Sequence, residues 1–325
     1  MHITVPLLIN PKAGSLFRSG LKGWLDANRA SFTIIPTKSA EDLTNKAREL
    51  AEAGEPVVAA AGGDGTLMCA ARGLIGTKSA LGILPCGSMN VFARELGIGS
   101  RRFDVALDTI QSGTRQEVDI FTVNDDPFLQ MAGFGLDARI IKRITPRLKK
   151  HFGPTAHILT GLHVAMQSHP LITLTLPDGK SYTGTQIIMG NGKRYGGEAH
   201  LFAEARYDDG LLNAAIIRQE GIPILFEVLG CMLQHGATRR NTSEFTSLCT
   251  FSSCEITADG KLDYQLDGDY AGTLVPGETL RIRKLPQMLR VCIPRNYIPN
   301  TPIEKFMAHP MVEAWRAHIR QAQEF

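Results

Sequence analysis

Between Ile3 and Val123, short apolar runs alternate with longer segments in which apolar residues recur at helical spacing. The short runs are typical of buried strands, and the longer segments are typical of amphipathic helices. The predicted strands are Ile3–Ile9, Phe32–Ile35, Val57–Ala61 and Leu81–Leu84, and the predicted helices are 19–28 and 41–53. This alternation indicates an α/β domain with a parallel sheet, whose ligands bind at the carboxyl ends of the strands.

After Asp125-Asp126-Pro127 the pattern changes to apolar runs of strand length that are separated by turn signals. Such a pattern is typical of a mainly antiparallel β-sandwich. The predicted strands are Phe128–Ala132, Leu171–Leu176, Ser181–Met189, Leu211–Ile217, Thr246–Ile256, Leu262–Leu266, Thr279–Lys284 and Leu289–Ile293, and the predicted helices are 136–150, 155–167 and 222–234. We therefore predict an α/β domain at 1–125, a β-sandwich domain at 126–295 and a helical tail at 296–325.

The composition is that of a globular protein, because 43% of the 325 residues are hydrophobic and the net charge is only +3. So small a charge argues against nucleic acid as a partner. The six cysteines are scattered without a CxxC pair, which argues against a zinc site or a disulfide framework. Neither a signal peptide nor an apolar run of roughly eighteen residues is present, so we expect a cytoplasmic protein whose membrane contact is peripheral.

The most informative segment is the glycine-rich loop Gly62-Gly63-Asp64-Gly65-Thr66, which follows an apolar run and precedes a helical segment. Glycines let the backbone approach a phosphate, and the amide groups at the start of a helix attract anions. A carboxylate in the same loop can hold a metal ion. No lysine follows, so the loop is not a Walker A motif. The alternative is a tight hairpin turn, which the strand and helix flanks disfavour.

Three motifs in order resemble the diacylglycerol kinase catalytic domain family, which includes sphingosine, ceramide and bacterial lipid kinases. They are Asn10-Pro11-Lys12-Ala13-Gly14, the glycine-rich loop, and the segment from Leu84 to Arg94. The likeness continues at 133–137, 191–197, 207–211 and 265–269. The resemblance implies an NAD kinase-like or diacylglycerol kinase-like fold with the active site between the two domains. It also implies that ATP is the phosphoryl donor, that Mg²⁺ assists, and that the acceptor is a lipid alcohol.

By this resemblance, the nucleotide-binding residues are Asn10, Thr37, Gly62, Gly63, Asp64, Gly65, Thr66 and Ser88. Ser88 could also cap a helix predicted at Met89–Leu96, and Thr37 and Ser88 could both be nothing more than caps. The catalytic residues implied are Asp64, which would hold Mg²⁺, together with Asp267 and Asp269. Relatives usually show Asp-Gly-Glu where this chain has Asp267-Gly268-Asp269, so the division between proton acceptor and metal ligand stays open. A plain turn between strands is the alternative.

A second, structural Mg²⁺ site is implied at Asp209 with the carbonyl groups of Arg206 and Leu211, although the same segment is also an ordinary turn. Val91 stands where many relatives have aspartate, which we interpret as a clue to acceptor preference.

Basic residues from Arg139 to Lys150, interleaved with apolar ones, are compatible with a helix on an anionic membrane and equally with a solvated basic face. The rival functions are a soluble-metabolite kinase of the NAD kinase type and a catalytically silent lipid- or nucleotide-binding module. Neither the acceptor lipid nor the oligomeric state, a homodimer included, follows from the sequence.

Overall fold

The computed structural model describes residues 4–11, 20–143, 161, 164–196, 200–224 and 244–295. Several sequence predictions lie outside these ranges, namely the segment 12–14 of the first motif, most of the helices predicted at 155–167 and 222–234, and the tail at 296–325. The described helices include none that is long and apolar enough to cross a bilayer.

The first sheet has six strands in the order β2-β1-β3-β4-β18-β5. Its strands are β1 (Val5–Ile9), β2 (Phe32–Pro36), β3 (Val57–Gly62), β4 (Ala80–Pro85), β5 (Thr114–Val118) and β18 (Leu289–Ile293). The first four are parallel, as the sequence predicts, and all residues of β1, β3 and β4 are buried. Burial on both faces explains why these strands read as unbroken apolar runs.

Five helices and one 3₁₀ turn accompany this sheet. They are α1 (Leu21–Ala27), a 3₁₀ turn (Arg29–Ser31), α2 (Ala40–Glu52), α3 (Asp64–Leu74), α4 (Val91–Glu95) and α5 (Phe103–Ser112). Gly73 of α3 packs against α2 so closely that a β-carbon there would lie 2.7 Å from Ala47 Cβ. Small residues at this crossing let the two helices lie side by side on the sheet.

Two antiparallel six-stranded sheets form the second half, in the orders β10-β9-β14-β17-β6-β7 and β13-β12-β11-β8-β15-β16. Their strands are β6 (Phe121–Val123), β7 (Asp126–Phe128), β8 (Met131–Phe134), β9 (Ile172–Thr175), β10 (Ser181–Gly184), β11 (Gln186–Gly190), β12 (Leu212–Ile217), β13 (Thr246–Phe251), β14 (Ser253–Ala258), β15 (Leu262–Leu266), β16 (Asp269–Leu274) and β17 (Leu280–Lys284). One apolar cluster that includes Phe128, Phe134 and Ile256 joins both sheets, so the predicted β-sandwich is confirmed.

Four strand predictions need correction. The strand predicted at Phe128–Ala132 is interrupted, because Phe128 ends β7 in one sheet and Met131 begins β8 in the other. The strand Leu289–Ile293 does not belong to the sandwich but pairs in parallel with β4. The runs predicted as single strands at Ser181–Met189 and Thr246–Ile256 are each two strands, which lie in different sheets. Where the chain passes from one sheet to the other, its apolar alternation continues through the bend. The sequence pattern therefore does not show where one strand ends and the next begins.

Helix α6 (Leu136–Arg143) confirms the start of the helix predicted at 136–150, and the rest lies outside the described residues. Two of its basic side chains are engaged within the protein. Arg139 donates to the Ser168 carbonyl at 2.8 Å, and Lys142 lies 2.8 Å from the Asp263 carboxylate. Arg143, at the end of the described part of α6, is exposed. This helix therefore offers less free positive charge than the sequence indicates.

Candidate active site

The carboxyl ends of four neighbouring parallel strands meet at one edge of the first sheet. There β1 ends before Asn10, β2 ends before Thr37, β3 leads into Gly63 and β4 leads into Cys86. Loops that are far apart in the sequence are thereby brought side by side. The residues predicted to bind nucleotide all lie along this edge: Asn10, Thr37, Gly62, Gly63, Asp64, Gly65, Thr66 and Ser88.

The loops after β3 and β4 contact each other through their backbones at Gly63 and Gly87. A β-carbon on Gly63 would lie 3.2 Å from Gly87 Cα, and one on Gly87 would overlap Gly63 Cα. This contact requires glycine at Gly87 and leaves little room for a side chain at Gly63, while neither residue has a positive φ. Gly63 precedes α3 and provides no side-chain cap, which leaves the first amide groups of the helix to an anionic ligand.

Asn90 holds the loop after β4 in its shape. Its backbone is left-handed, its side chain is fully buried, and its Oδ1 accepts the Gly87 N–H at 2.9 Å. Its Nδ2 donates to the Gly87 carbonyl at 2.9 Å and to Ser100 Oγ at 2.7 Å. The prediction that Ser88 caps a helix from Met89 is wrong, because the left-handed Asn90 delays the start of α4 to Val91. Ser88 is exposed on the loop that Asn90 shapes.

Thr37 fastens the loop after β2 to the neighbouring strand. Its N–H donates to the Ile9 carbonyl at 2.8 Å, and its hydroxyl donates to the same oxygen at 3.2 Å. The side chain is buried, and the cap of α2 is instead Ser39, which accepts the Asp42 N–H at 3.0 Å. Thr37 is therefore not a helix cap, and its contact with a nucleotide stays a prediction.

Asp64 is the first residue of α3, and its carboxylate is directed to the start of α4. Its Oδ1 accepts the Phe92 N–H at 3.1 Å. Burial raises the pKa of Asp64, and the backbone amides of Phe92 and Val91 partly offset the rise. The carboxylate already has amide partners, so its role as a metal ligand stays a prediction.

Asp267 is bound by three consecutive backbone amides. Its Oδ2 accepts the Leu129 N–H at 2.7 Å, and its Oδ1 accepts the Gln130 and Met131 N–H groups at 2.8 and 3.0 Å. Burial raises the pKa of Asp267 to about 6, and the nearby charge of Asp64 adds to the rise. Both carboxylates line one cavity of about 10 Å³, which holds about one water molecule. Asp267 thus ties the β15–β16 turn to the segment between β7 and β8.

Asp269 differs from the other two carboxylates because it is exposed and accepts no hydrogen bond from any residue in the described ranges. Its Oδ2 lies 3.3 Å from the place where a β-carbon on Gly65 would be. The carboxylate therefore lies beside the glycine-rich loop, and both line an open cleft of about 250 Å³. Asp267 lines the same cleft, but its carboxylate is held by three backbone amides, whereas that of Asp269 is not.

Sequence reasoning missed three polar residues of this cleft: Arg72, Asp126 and Tyr270. Arg72 reaches from α3 to Asp126 at 3.4 Å and thereby links the two halves. Its position two turns after Asp64 on one predicted helix was a usable signal. In the sequence, Asp126 only marks the point where the pattern changes, and no sequence pattern indicates that it would face α3.

The residues of the implied structural metal site share one loop before β12. Asp209 Oδ1 accepts the Leu211 N–H at 2.9 Å, and the Arg206 side chain pairs with Asp208 at 3.1 Å. Burial raises the pKa of Asp209, and the charges of Asp119 and Asp208 raise it further. No group of three or more His, Cys, Asp or Glu side chains arranged to hold a metal occurs within the described ranges. A cation would have to rely on Asp209, carbonyl groups and water.

Residues 4–123 match the family model described as "Diacylglycerol kinase catalytic domain", and residues 130–293 match "YegS C-terminal NAD kinase beta sandwich-like domain". A Bacillus subtilis protein named "Diacylglycerol kinase" is 28% identical over 250 residues, which cover 76% of this chain and 81% of the relative. A Klebsiella pneumoniae protein named "Probable lipid kinase YegS-like" is 33% identical over 252 residues, or 76% and 79% of the two chains.

A crystal structure of a diacylglycerol kinase from Bacillus anthracis has the same fold. It superposes with a TM-score of 0.67 at 21% identity and covers 91% of this chain and 98% of that chain. At this identity the likeness concerns the fold alone.

The contact between Gly63 and Gly87 predicts opposite effects for the same substitution at two glycines. Gly87→Ala should lower the free energy of unfolding by about 1–3 kcal/mol, because its methyl group overlaps Gly63 and approaches Asn90 Oδ1 to 2.7 Å. Gly23→Ala, in α1 with open space around it, should raise that free energy by about 0.5–1 kcal/mol. Urea denaturation measures both, and a neutral Gly87→Ala would show that the two loops can separate freely.

The amide contacts of Asp267 predict a structural loss in Asp267→Asn. At pH 5 the variant should lose about 1–3 kcal/mol of unfolding free energy, because the Leu129 N–H would face an amide donor. The exposed Asp269→Asn is the matched control and should change stability by less than about 0.5 kcal/mol.

The raised pKa of Asp267 adds a pH dependence to this difference. The native state binds the Asp267 proton more tightly than the unfolded chain, whose pKa is near 3.8. The stability from this proton is complete below about pH 4 and is lost as the pH rises through about 6. The difference in unfolding free energy between the wild type and Asp267→Asn should therefore become smaller from pH 5 to pH 7. The proton of Asp267 can account for at most roughly 3 kcal/mol of this change. Urea denaturation at pH 5 and pH 7 measures this difference. A difference that grows with pH would contradict the raised pKa of Asp267.

Proposed function

We propose that this protein, which belongs to the diacylglycerol kinase catalytic domain family, transfers the γ-phosphoryl group of ATP to the hydroxyl group of a lipid alcohol. The observation that carries the proposal is the Asp269 carboxylate, which accepts no hydrogen bond from the described residues and lies beside Gly65 of the glycine-rich loop at the cleft. An anion-binding helix start and a free carboxylate opposite it are the two parts that such a transfer needs.

The glycine-rich loop and the loop after β4 would hold the nucleotide's phosphates. The first amide groups of α3 lack a side-chain cap, and the Gly63–Gly87 contact lets both backbones approach one ligand. Asn90 fixes the second loop before any ligand arrives. A site that is already in shape loses less conformational entropy when it binds, which favours the nucleotide complex.

Asp269 would act as the general base of the transfer. The lipid hydroxyl oxygen forms a bond to the γ-phosphorus, the bond from that phosphorus to the β–γ bridging oxygen breaks, and ADP leaves. The hydroxyl proton passes to the Asp269 carboxylate. Asp267 also lines the cleft, but its three backbone amide contacts hold it in place as part of the turn. We therefore assign proton acceptance to Asp269 and the shape of the turn to Asp267.

The acidic residues present fit a hydrated Mg²⁺ better than a fully protein-bound one. Mg²⁺ keeps several waters and takes one or two carboxylates together with phosphate oxygens. Asp64 beside the phosphate loop would provide such a ligand, and burial of its charge would be relieved by a cation. When bound, the ion would neutralise charge on the phosphates.

Work at a membrane surface follows from the proposed acceptor and stays a prediction. Arg143 is an exposed basic side chain of α6, while Arg147, Lys149 and Lys150 lie outside the described residues. Cytoplasmic location likewise stays a prediction.

The proposed base predicts a large kinetic defect in Asp269→Asn. Its kcat should fall by about 10²–10⁴-fold with little change in the KM for ATP, because the carboxylate is contributed by the hairpin opposite the phosphate loop. Asp269→Glu should retain much of the activity, and Asp178→Asn, on the distant β9–β10 turn, is the charge-matched control. The assay uses purified protein, labelled ATP, Mg²⁺ and lipid alcohols in mixed micelles.

Three outcomes of this assay would overturn the proposal. Full activity of Asp269→Asn would remove Asp269 as the base. Phosphorylation of NAD with no lipid phosphorylated would favour a soluble-metabolite kinase, and no transfer to any acceptor with ATP still bound would favour a silent binding module.

The structural Mg²⁺ site predicts a thermal shift that is independent of catalysis. Without nucleotide, Mg²⁺ should raise the Tm of the wild type, because a ligand that binds only the native state stabilises it. Asp209→Asn should abolish this shift, and Asp208→Asn, whose carboxylate pairs with Arg206, should retain it. Equal shifts in the wild type and Asp209→Asn would refute the site.

A further inference from the structure

The segment Gly133-Phe134-Gly135-Leu136-Asp137 joins β8 to α6 and has no part in the phosphoryl transfer described above. Gly133 and Gly135 of this segment leave room for the Asp137 side chain and for Gln186, one of its hydrogen-bond partners. A β-carbon on Gly133 would overlap Asp137 Oδ2, and one on Gly135 would lie 2.7 Å from Gln186 Oε1. The backbone of this segment is therefore kept bare so that Asp137 can enter a closely packed polar cluster.

Asp137 accepts four hydrogen bonds from four different parts of the fold. Its Oδ1 accepts the Ala138 N–H at 2.8 Å and Gln186 Nε2 at 2.9 Å. Its Oδ2 accepts Tyr195 Oη and Gln265 Nε2, both at 3.1 Å. Burial raises the pKa of Asp137, while these donors act to lower it. Every lone-pair direction of the carboxylate is used, so the cluster has little freedom to rearrange.

Gln265 connects this cluster to the turn between Asp267 and Asp269 through hydrogen bonds. It is fully buried on β15, and while its Nε2 donates to Asp137, its Oε1 accepts the Gly268 N–H at 2.8 Å. Gly268 has a φ of +88° and lies between Asp267 and Asp269. The pairing of β15 with β16 shifts register between Tyr264 and Gln265, and an irregularity of this kind re-aims a side chain.

The far end of the same hairpin is also held by α6. Lys142 Nζ lies 2.8 Å from Asp263 Oδ1 and 3.2 Å from Thr273 Oγ1. The Tyr270 hydroxyl is hydrogen-bonded to Thr273 at 2.6 Å, so the residue after Asp269 is tied into the same contacts. Helix α6 thus supports the hairpin at its open end through Lys142 and at its turn through Asp137.

We propose that Asp137 is a positioning residue that acts through Gln265 to fix the turn from which Asp269 faces the glycine-rich loop. The claim that Asp137 holds the turn stands on the geometry alone. The claim that this hold affects catalysis rests on the proposed function. Asp137 touches neither the cleft nor the reacting atoms. Its contribution is to hold Gly268, and with it the direction of Asp269.

Hydrogen exchange at the Gly268 amide tests the geometric part without any assay of activity. In the full-length protein, Gln265→Met removes both hydrogen bonds at nearly constant volume and should accelerate this exchange about tenfold or more. Tyr195→Phe is the matched control, since it removes one hydrogen bond to the same Asp137 oxygen without interrupting the path to Gly268. Equal acceleration in both variants, or none in Gln265→Met, would overturn the proposal.

Reversing the polarity of the Asp137–Gln265 hydrogen bond gives a second test. Asp137→Asn alone sets an amide donor against the Gln265 amide and should expose Gly268 to exchange. When Gln265→Glu is added, the amide introduced by Asp137→Asn donates to the new carboxylate, whose other oxygen accepts the Gly268 N–H. The double variant should restore protection of Gly268, and a further loss in place of rescue would contradict the linkage.

Kinetics of the same variants tests the consequence for catalysis. Gln265→Met and Asp137→Asn should lower kcat about tenfold or more, with an unchanged KM for ATP and partial rescue in the double variant. Exposure of Gly268 with no loss of kcat would overturn the positioning role. If no variant and no wild-type protein phosphorylates a lipid, the proposed function fails, while the exchange data still decide whether Asp137 holds the turn.

Discussion

Backbone amide groups bind most of the acidic side chains near the cleft, and the arrangement of the site depends on this. Asp267 accepts three consecutive amides, Asp64 accepts the amide of Phe92, and Glu95 accepts those of Lys193 and Arg194 at 3.1 and 3.0 Å. A partly buried carboxylate needs donors, since burial without them costs several kcal/mol. Amides are fixed by the fold and cannot swing away as a lysine can. Each such contact therefore fixes a carboxylate and the segment that supplies its donors in one relative position.

The same constraint separates structural acids from reactive ones. Three amides hold the Asp267 carboxylate in one position, while burial raises its pKa so that the native state binds its proton more tightly than the unfolded chain does. Asp269 follows the turn and has no such amide contact among the described residues, whereas Asp267, two residues earlier, is held by three amides although it also lines the cleft. The different roles that we propose for these two acids therefore rest on which of them the backbone already binds.

The sequence predicted the elements that follow from local periodicity. It did not predict contacts between residues that are far apart along the chain. The four parallel strands and the glycine-rich loop are local patterns, and the structure confirms the α/β domain and the sandwich. The return of Leu289–Ile293 to the first sheet has no local signature, because a buried strand reads alike in either sheet. The contacts of Asp267 join it to residues about 137 positions away, and no pattern in one sequence encodes such a partner. Gln265 appeared only as a member of a motif for the same reason.

The chain passes between the two halves twice, which helps to keep Asp64 of the first half and Asp269 of the sandwich at a fixed separation. The chain leaves the first sheet after β5, builds the sandwich from β6 to β17, and returns as β18 between β4 and β5. Since β18 pairs on both sides, both connections are fastened at the same edge of the first sheet. Glu95 of α4 adds a contact to the Lys193–Arg194 segment of the sandwich half. A single linker would let the halves turn about it, but paired connections and a buried carboxylate restrict that motion. In the proposed transfer, a substrate would enter the open cleft beside Asp269, and the positions of the acids around it would be largely set before a ligand binds.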